Sequence, residues 1–356
     1  MTDLQIGLAF MGGAVVLAVL GYNRWITLRN QPRRSNAGPD AAAGQDGAES
    51  DQASPADGRI EPVLDDFGVL SAAGQSVLMA AAQRGQLDPL IDVLVRLTPD
   101  HPVSGEAVLA AQPRSRRIGS KPFAVEGLSL DTGNWETPRS GCQYTSLQAG
   151  VQLANRAGAL NEIEFSEFVG KTQALADQLA AHVELPDMMT EVARARELDQ
   201  FASDHDAQLA FKIRATRTAW SPGYIVQQAQ QAGFVPAAIP GRLALPASDP
   251  ACGPLALLQF EIRAALDENP EQHALVEFEL LFDVPQSPRA ENPYVRLREV
   301  AQQLAATMEG RLTDERGVPL GNELLDQVTI QLDELYDQLE SRDLAAGSPQ
   351  ARRLFS

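Results

Sequence analysis

The chain has 356 residues, of which 44% are hydrophobic, and a formal net charge of −18 at pH 7. This negative charge excludes a general nucleic-acid-binding role, because phosphate backbones are bound by basic surfaces. The two cysteines, Cys142 and Cys252, lack the CxxC spacing of metal or redox sites, and we expect both to be reduced. The length beyond the N-terminal region is sufficient for two domains of ordinary size.

The first predicted element is a transmembrane helix over residues 4–23, a stretch without a charged side chain. About twenty apolar residues are needed to cross the hydrocarbon core of a bilayer. A secretory signal peptide would carry its positive charge before the apolar stretch, whereas here the positive charge follows it. By the positive-inside rule the N-terminus is expected outside and the rest of the chain in the cytoplasm. Four arginines form this membrane flank: Arg24, Arg29, Arg33 and Arg34.

Residues 24–57 comprise this basic flank and a predicted disordered linker. The linker is rich in Ala, Gly, Pro, Ser and Asp and has no apolar periodicity. About thirty flexible residues have a root-mean-square reach of roughly 30 Å. We therefore expect the globular part of the chain to lie close to the membrane.

Two parts of the remaining chain share one pattern at an offset of about 130 residues. In the later part, residues 274–285 alternate between apolar and polar side chains, which predicts a half-buried strand. A helix is predicted next, with Asn292 as N-cap and Pro293 at its first position. The earlier part repeats a strand at 147–153 and a helix from about Glu162. Further elements are predicted at 90–98, 105–111, 121–130, 135–138 and after 183–186 in the first copy, and at 208–215, 221–232, 242–246, 255–263 and 322–339 in the second.

This mixed order of strands and helices, without regular βαβ alternation, predicts an α+β fold. We expect two tandem domains, 58–203 and 207–343, each an antiparallel sheet with helices on one face. The junction at 203–206 is short, so the two copies are expected to pack at a fixed angle. The last residues, 344–356, are predicted to be a flexible tail, with a linear docking motif as the alternative.

Two segments of the second copy carry a resemblance to a known family. They are VQQAQQAGFVP (226–236) and the stretch from LLFDVPQ (280–286) to VRLREVAQQLAATMEGRLTDERG (295–317). Over about 207–340 the chain resembles the C-terminal domain of ZipA, the bacterial division protein family that ties the FtsZ ring to the inner membrane. The first copy is not part of that family's usual layout, and the linker is shorter than is typical.

The resemblance implies that the C-terminal peptide of FtsZ binds the sheet face opposite the helices. Leu281 is then the best apolar anchor on the fourth strand, with Glu279 and Arg263 beside it. The register of the second strand is open: either Arg242 and Ala244, or Leu243 and Leu245, face outward. The partner-binding residues expected on this basis are Lys212, Arg263, Glu279, Leu281, Leu243 and Leu245.

Because the outward positions are mixed and charged, the face is either solvated or used by an adaptor of the same fold that docks a different cytoplasmic protein. The basic loop at 114–121 is either solvated or a contact for an anionic partner. An enzyme is not expected, since the four histidines lack ligand spacing and no phosphate-binding loop occurs; no cofactor or metal is expected either.

Overall fold

The structure is a computed structural model, and it describes residues 87–249, 252–266 and 273–356. All of the described residues belong to one compact unit. The predicted transmembrane helix at 4–23 and the linker at 24–57 lie outside the described residues and stay predictions. Among the helices that the structure describes, none is long and apolar enough to cross a bilayer.

The first copy is an antiparallel sheet with two long helices after its main strands. The strands lie in the order β3-β4-β6-β1-β9, with β2 paired to β6 and β5 paired to β4, and β7 and β8 form a separate small hairpin. The elements are β1 (Asp92–Pro99), β2 (Val103–Ser104), α1 (Gly105–Ala111), β3 (Arg117–Ile118), β4 (Lys121–Ser129), β5 (Trp135–Glu136), β6 (Gln143–Gln152), β7 (Ala154–Asn155), β8 (Gly158–Ala159), α2 (Glu162–Gln178), β9 (Ala181–Val183) and α3 (Met188–His205).

The second copy is a six-stranded antiparallel sheet with the strand order β11-β12-β13-β14-β10-β15. A short C-terminal helix, α8, follows it. The elements are β10 (Gln208–Ala215), α4 (Pro222–Gln231), β11 (Val235–Pro236), β12 (Arg242–Leu245), β13 (Ala256–Gln259), α5 (Ile262–Leu266), β14 (Glu277–Asp283), α6 (Pro293–Thr307), β15 (Gly310–Thr313), α7 (Asn322–Ser341) and α8 (Pro349–Leu354).

Four strands follow corresponding orders in the two sheets, β4-β6-β1-β9 in the first and β13-β14-β10-β15 in the second. The first strand of each copy lies between the longest later strand and an edge strand: β1 between β6 and β9, and β10 between β14 and β15. The edge strands β9 and β15 each come after a helix, α2 and α6 respectively. The residue directly before each strand has a left-handed backbone conformation: Ala180 (φ 48°) and Glu309 (φ 51°). The antiparallel sheets and their helices confirm the α+β fold class.

The helices of the second copy cover one face of its sheet. Along β14, Phe278, Leu280 and Phe282 are buried, while the alternate residues are half-buried. Tyr294 at the start of α6 packs over this face, with its ring centroid 6.3 Å from that of Phe211 and 6.4 Å from that of Phe282. Burial of each such side chain contributes about 1.5–3 kcal/mol. The strands therefore have a buried inner face, beneath α6, and an outer face that α6 does not cover.

The predicted flexible tail at 344–356 is wrong, because this segment is folded. Ser348 caps α8, and Leu354 and Phe355 are completely buried. The helix contacts both copies: Gln152 Nε2 donates to the Arg353 carbonyl at 2.8 Å, and Gln286 Nε2 donates to the Phe355 carbonyl at 2.7 Å. The apolar pair at the end of the chain is thus part of the core.

A second contact joins the copies near their junction. The Arg156 guanidinium donates to both carboxylate oxygens of Asp206, at 2.9 and 2.6 Å, and lies 2.8 Å from Asp283 Oδ2. These ion pairs connect the first copy to the start of β10 and the end of β14. Together with α8, they explain why the described residues form one unit.

Candidate functional site

Leu281 lies in the middle of an apolar strip on the outer face of the second sheet. The strand register pairs it with Ala210 of β10 and with Leu257 of β13, and Leu257 in turn pairs with Ala244 of β12. Side chains of directly paired residues in antiparallel strands lie on the same face. All four residues are half-buried, so the strip presents apolar surface that a ligand can cover.

A charged row runs beside the apolar strip. The Lys212 ammonium lies 3.0 Å from Glu277 Oε1 and 3.2 Å from Glu279 Oε1. Arg214 Nε lies 3.0 Å from the other oxygen of Glu277, and Gln259 Nε2 donates to Glu279 at 2.9 Å. Two cations and two carboxylates therefore neutralise one another along the row.

Lys212 is a fixed positive charge in this row. The hydrogen bond to Glu277 raises the pKa of its ammonium above the ordinary value, and Glu279 adds to the effect against the opposing effect of burial. Lys212 is therefore charged at physiological pH. The apolar strip is thus bordered by ion-paired groups.

A groove of about 570 Å³ opens where the charged row meets α5. Gln259 and Glu279 line it, together with the apolar side chains of Ile262 and Val276. Sequence alternation predicts that Val276 faces the core, but 57% of it is exposed, because β14 begins only at Glu277. The groove-lining role of these two apolar residues has no signal in the sequence, since it depends on where the strands end.

The expected partner contacts of Leu243 and Leu245 are wrong. Both side chains are buried on the inner face, because β12 pairs Leu243 with the core residue Leu258 and Leu245 with Ala256. The structure has the alternative register, in which Arg242 and Ala244 face outward. Both residues are half-buried, and they pair with Gln259 and Leu257 of β13.

The expected position of Arg263 beside Leu281 is also wrong. The third strand, β13, ends at Gln259, and the Phe260 amide donates to the Gly241 carbonyl at 2.9 Å. Arg263 lies on α5, where it is exposed. Of the six predicted partner-binding residues, the outer face thus brings together three: Lys212, Glu279 and Leu281.

The basic loop of the first copy divides into two parts. Arg114, Arg116 and Arg117 are exposed, as expected of a solvated loop. Lys121 instead begins β4 and is 1% exposed, with its ammonium donating to Ser120 Oγ at 2.7 Å. Burial lowers the pKa of Lys121, although the charge of Glu164 opposes this. Lys121 is thus a core residue of the first copy rather than a surface contact.

Within the described ranges, no group of His, Cys, Asp and Glu side chains could hold a metal ion. The outer face combines an apolar strip, a row of ion-paired side chains and an adjoining groove. A scan of the chain against protein-family models found no match, and a search of curated proteins found no similar sequence.

Proposed function

We propose that this protein is a membrane-anchored cell-division scaffold whose second sheet binds the C-terminal peptide of FtsZ. In this role it tethers the division ring to the inner membrane during septation. The segment at 4–23 is the single membrane span, and residues 24–356 lie in the cytoplasm. The activity is binding rather than catalysis, and it requires no cofactor.

The half-exposed apolar strip around Leu281 carries this proposal. Peptide-binding surfaces derive most of their affinity from a few apolar anchors that become fully buried in the complex. Leu281 and Leu257 are paired in register and provide two such positions. The resemblance to ZipA over 207–340 supplies the identity of the peptide.

The charged row favours a second candidate, an adaptor of the same fold that docks a different cytoplasmic protein. Lys212 and Arg214 are each within 3.2 Å of a carboxylate, so a purely apolar peptide gains nothing from them. A ligand with charges of both signs can form new pairs along the row. This candidate shares the site with the first and differs only in the partner.

The test is binding of a synthetic FtsZ C-terminal peptide to the full chain in lipid nanodiscs, comparing the parent with Leu281→Lys. The substitution places a cation on the apolar strip, near Lys212. We expect affinity to fall about tenfold or more, as for loss of a central anchor. Binding to the parent should also weaken as salt rises, because exposed ion pairs are screened.

Ile330→Lys is the matched control, since it changes an exposed apolar residue of α7, the helix that contacts α6 through Tyr294 and Arg298. It should leave the affinity unchanged. Equal affinity of the parent and Leu281→Lys, with unchanged circular dichroism, would contradict the proposed site. Failure of the peptide to bind the parent, together with Leu281-dependent recovery of another protein from the cytoplasm, would favour the second candidate.

A further inference from the structure

The outer edge of the first sheet is interrupted in the middle of β4. Both β3 and β5 pair with β4 on the side away from β6. The register of β3 ends with Arg117 opposite Pro122, and that of β5 begins with Glu136 opposite Gly127. Among the described strands, residues 123–126 therefore have a partner on one side only, which is β6.

The second sheet holds a strand in the corresponding place. The two sheets align when Ala181 and Gly310, the first residues of the edge strands β9 and β15, are matched through their registers. Residues 123–126 of β4 then correspond to 256–259 of β13. All four of the latter pair with β12 at 242–245. The gap in the first sheet thus lies where the second sheet has a four-residue strand.

The backbone groups of Val125 point toward this gap. In antiparallel strands, the N–H and C=O of a residue point to the same side, and that side alternates along the strand. The Phe123 amide donates to the Arg116 carbonyl at 2.9 Å across the edge, so the backbone groups of Val125, two residues later, face the same edge. Within the described residues, no backbone hydrogen bond reaches Val125 from that edge. Val125 thus offers one donor and one acceptor to an added strand.

A cavity of about 260 Å³ lies against the gap. Residues 123–126 line it, with Arg116 on the side of β3 and Thr137 on the side of β5. At about 3.4 Å per residue, this stretch of β4 is roughly 10 Å long. An extended segment of three or four residues would therefore span it.

The exposed charge beside this cavity is positive. Arg114, Arg116 and Arg117 are all exposed, and none of them contacts a carboxylate of the described residues. Other exposed arginines have such a partner, as Arg196 has in Glu162 at 2.6 Å. The loop before β3 therefore presents three guanidinium groups to an acidic ligand.

Glu126 brings a carboxylate to the cavity wall, but this group is already bonded. Its oxygens accept hydrogen bonds from the Leu87 amide at 2.8 Å and from Gln148 Nε2 at 2.7 Å. Glu126 is accordingly only 2% exposed. It does not offset the positive charge that an incoming segment meets.

We propose that this gap is a second binding site, which accepts an extended acidic segment of another protein as an additional antiparallel strand. Backbone hydrogen bonds to Val125 hold the segment, as in other proteins where a peptide extends the edge of a sheet. By correspondence with β12, an apolar residue lies opposite Val125 and a small residue opposite Ala124, like Leu243 and Ala244 in the second sheet. The C-terminal end of the segment then lies beside Arg116, where its carboxylates pair with guanidinium groups.

Fluorescence anisotropy tests the proposal with the full chain in phosphatidylcholine nanodiscs and a labelled peptide, GSVADD. The parent should bind GSVADD at least about tenfold more tightly than GSVAKK, in which two lysines would meet Arg116. Arg116→Gln should weaken binding of GSVADD about tenfold. Arg311→Gln removes an exposed arginine of the second copy and is the matched control, which should leave the affinity unchanged.

Strand pairing is tested by blocking one peptide amide at a time. N-methylation of the peptide's valine removes the donor to the Val125 carbonyl and should weaken binding at least about tenfold. N-methylation of the next residue, alanine, blocks an amide that points away from β4. This second peptide is the control and should lose little affinity.

Three results would each overturn the proposal: no binding of GSVADD by the parent, equal binding by Arg116→Gln, and equal losses from the two N-methylations. Leu281→Lys should leave the affinity for GSVADD unchanged, and a loss in that variant would instead place the peptide on the second sheet. Binding of the FtsZ peptide is measured separately, so either proposal can fail while the other holds.

Discussion

Asp92 and Arg353 form a bidentate ion pair across 261 residues of sequence, with Arg353 Nη1 2.9 Å from Asp92 Oδ2 and Nη2 2.6 Å from Oδ1. Asp92 lies at the start of the first strand and is 1% exposed. Burial raises its pKa above the ordinary value of 3.8, while the hydrogen bonds and charge of Arg353 act to lower it. The pair thus stabilises the ionised form of a carboxylate that has little access to water.

Arg353→Met should therefore destabilise the protein in a pH-dependent manner. Loss of one partner of a buried ion pair costs about 3 kcal/mol at neutral pH. Because the pKa of Asp92 is higher in the folded chain than in the unfolded chain, the free energy of unfolding falls as the pH rises through the folded pKa. Removal of the Arg353 guanidinium should raise the folded pKa of Asp92 further. The difference from the parent should be small below pH 3.8, where Asp92 is protonated in both folded and unfolded chains, and should grow and level off above the folded pKa.

Urea unfolding across a pH series measures this difference. Arg311→Met, which removes an exposed arginine, is the control and should stay within about 0.5 kcal/mol of the parent at each pH. A loss of stability in Arg353→Met that does not vary with pH would show that the arginine acts through packing alone.

Two buried tyrosines of the second copy should respond oppositely to loss of the hydroxyl. Tyr336 Oη has no hydrogen-bond partner among the described residues, so Tyr336→Phe removes an unsatisfied polar group and should leave stability unchanged or raise it by about 1 kcal/mol. Tyr294 Oη donates to the Leu325 carbonyl at 3.1 Å, so Tyr294→Phe should cost about 1 kcal/mol. Chemical unfolding of both variants measures the contrast, and equal losses would contradict it.

Limited proteolysis should cleave the chain first between residues 30 and 57 and not at the junction of the copies. The junction at 203–206 continues α3 as far as His205, and Asp206 is held by Arg156. Proteinase K digestion followed by mass spectrometry identifies the first cut. Early cleavage at the junction would mean that the two copies move independently.

The predicted membrane anchor is tested by extraction and by a topology reporter. Alkaline carbonate should fail to release the protein from membranes, because residues 4–23 are expected to span the bilayer. A reporter that is active only in the periplasm, fused after Ser356, should stay silent. Activity of the reporter would reverse the orientation inferred from Arg24, Arg29, Arg33 and Arg34.

Most of the fold could be predicted because its signals are local. The alternation in β14 and the bounds of α1 at 105–111 follow from residues that are neighbours in sequence. On the candidate site, the same alternation placed Lys212, Glu279 and Leu281 correctly. The alternation did not place Leu243 correctly, because β12 has only four residues, Arg242–Leu245. It did not place Arg263 correctly either, because the alternating pattern continues beyond Gln259, where β13 ends.

The C-terminal helix and the Leu87 contact could not be predicted for a different reason. Nothing near Arg353 indicates a carboxylate that is 261 residues away, and an apolar pair after two arginines carries no periodicity. Likewise, nothing in the strand predicted at 147–153 indicates that the Leu87 side chain packs on Gly150. Both contacts depend on tertiary packing between distant segments.

The position of Arg353 also determines the order of events during synthesis. Every strand of the first sheet, including β1 with Asp92, leaves the ribosome long before residue 353 is added. Domains generally begin to fold as they emerge, N-terminal part first. The nascent first copy therefore carries a carboxylate whose arginine partner does not yet exist, and Asp92 must remain hydrated or protonated until α8 arrives. Burial of Asp92 as an ion pair is consequently one of the last steps in the folding of this chain.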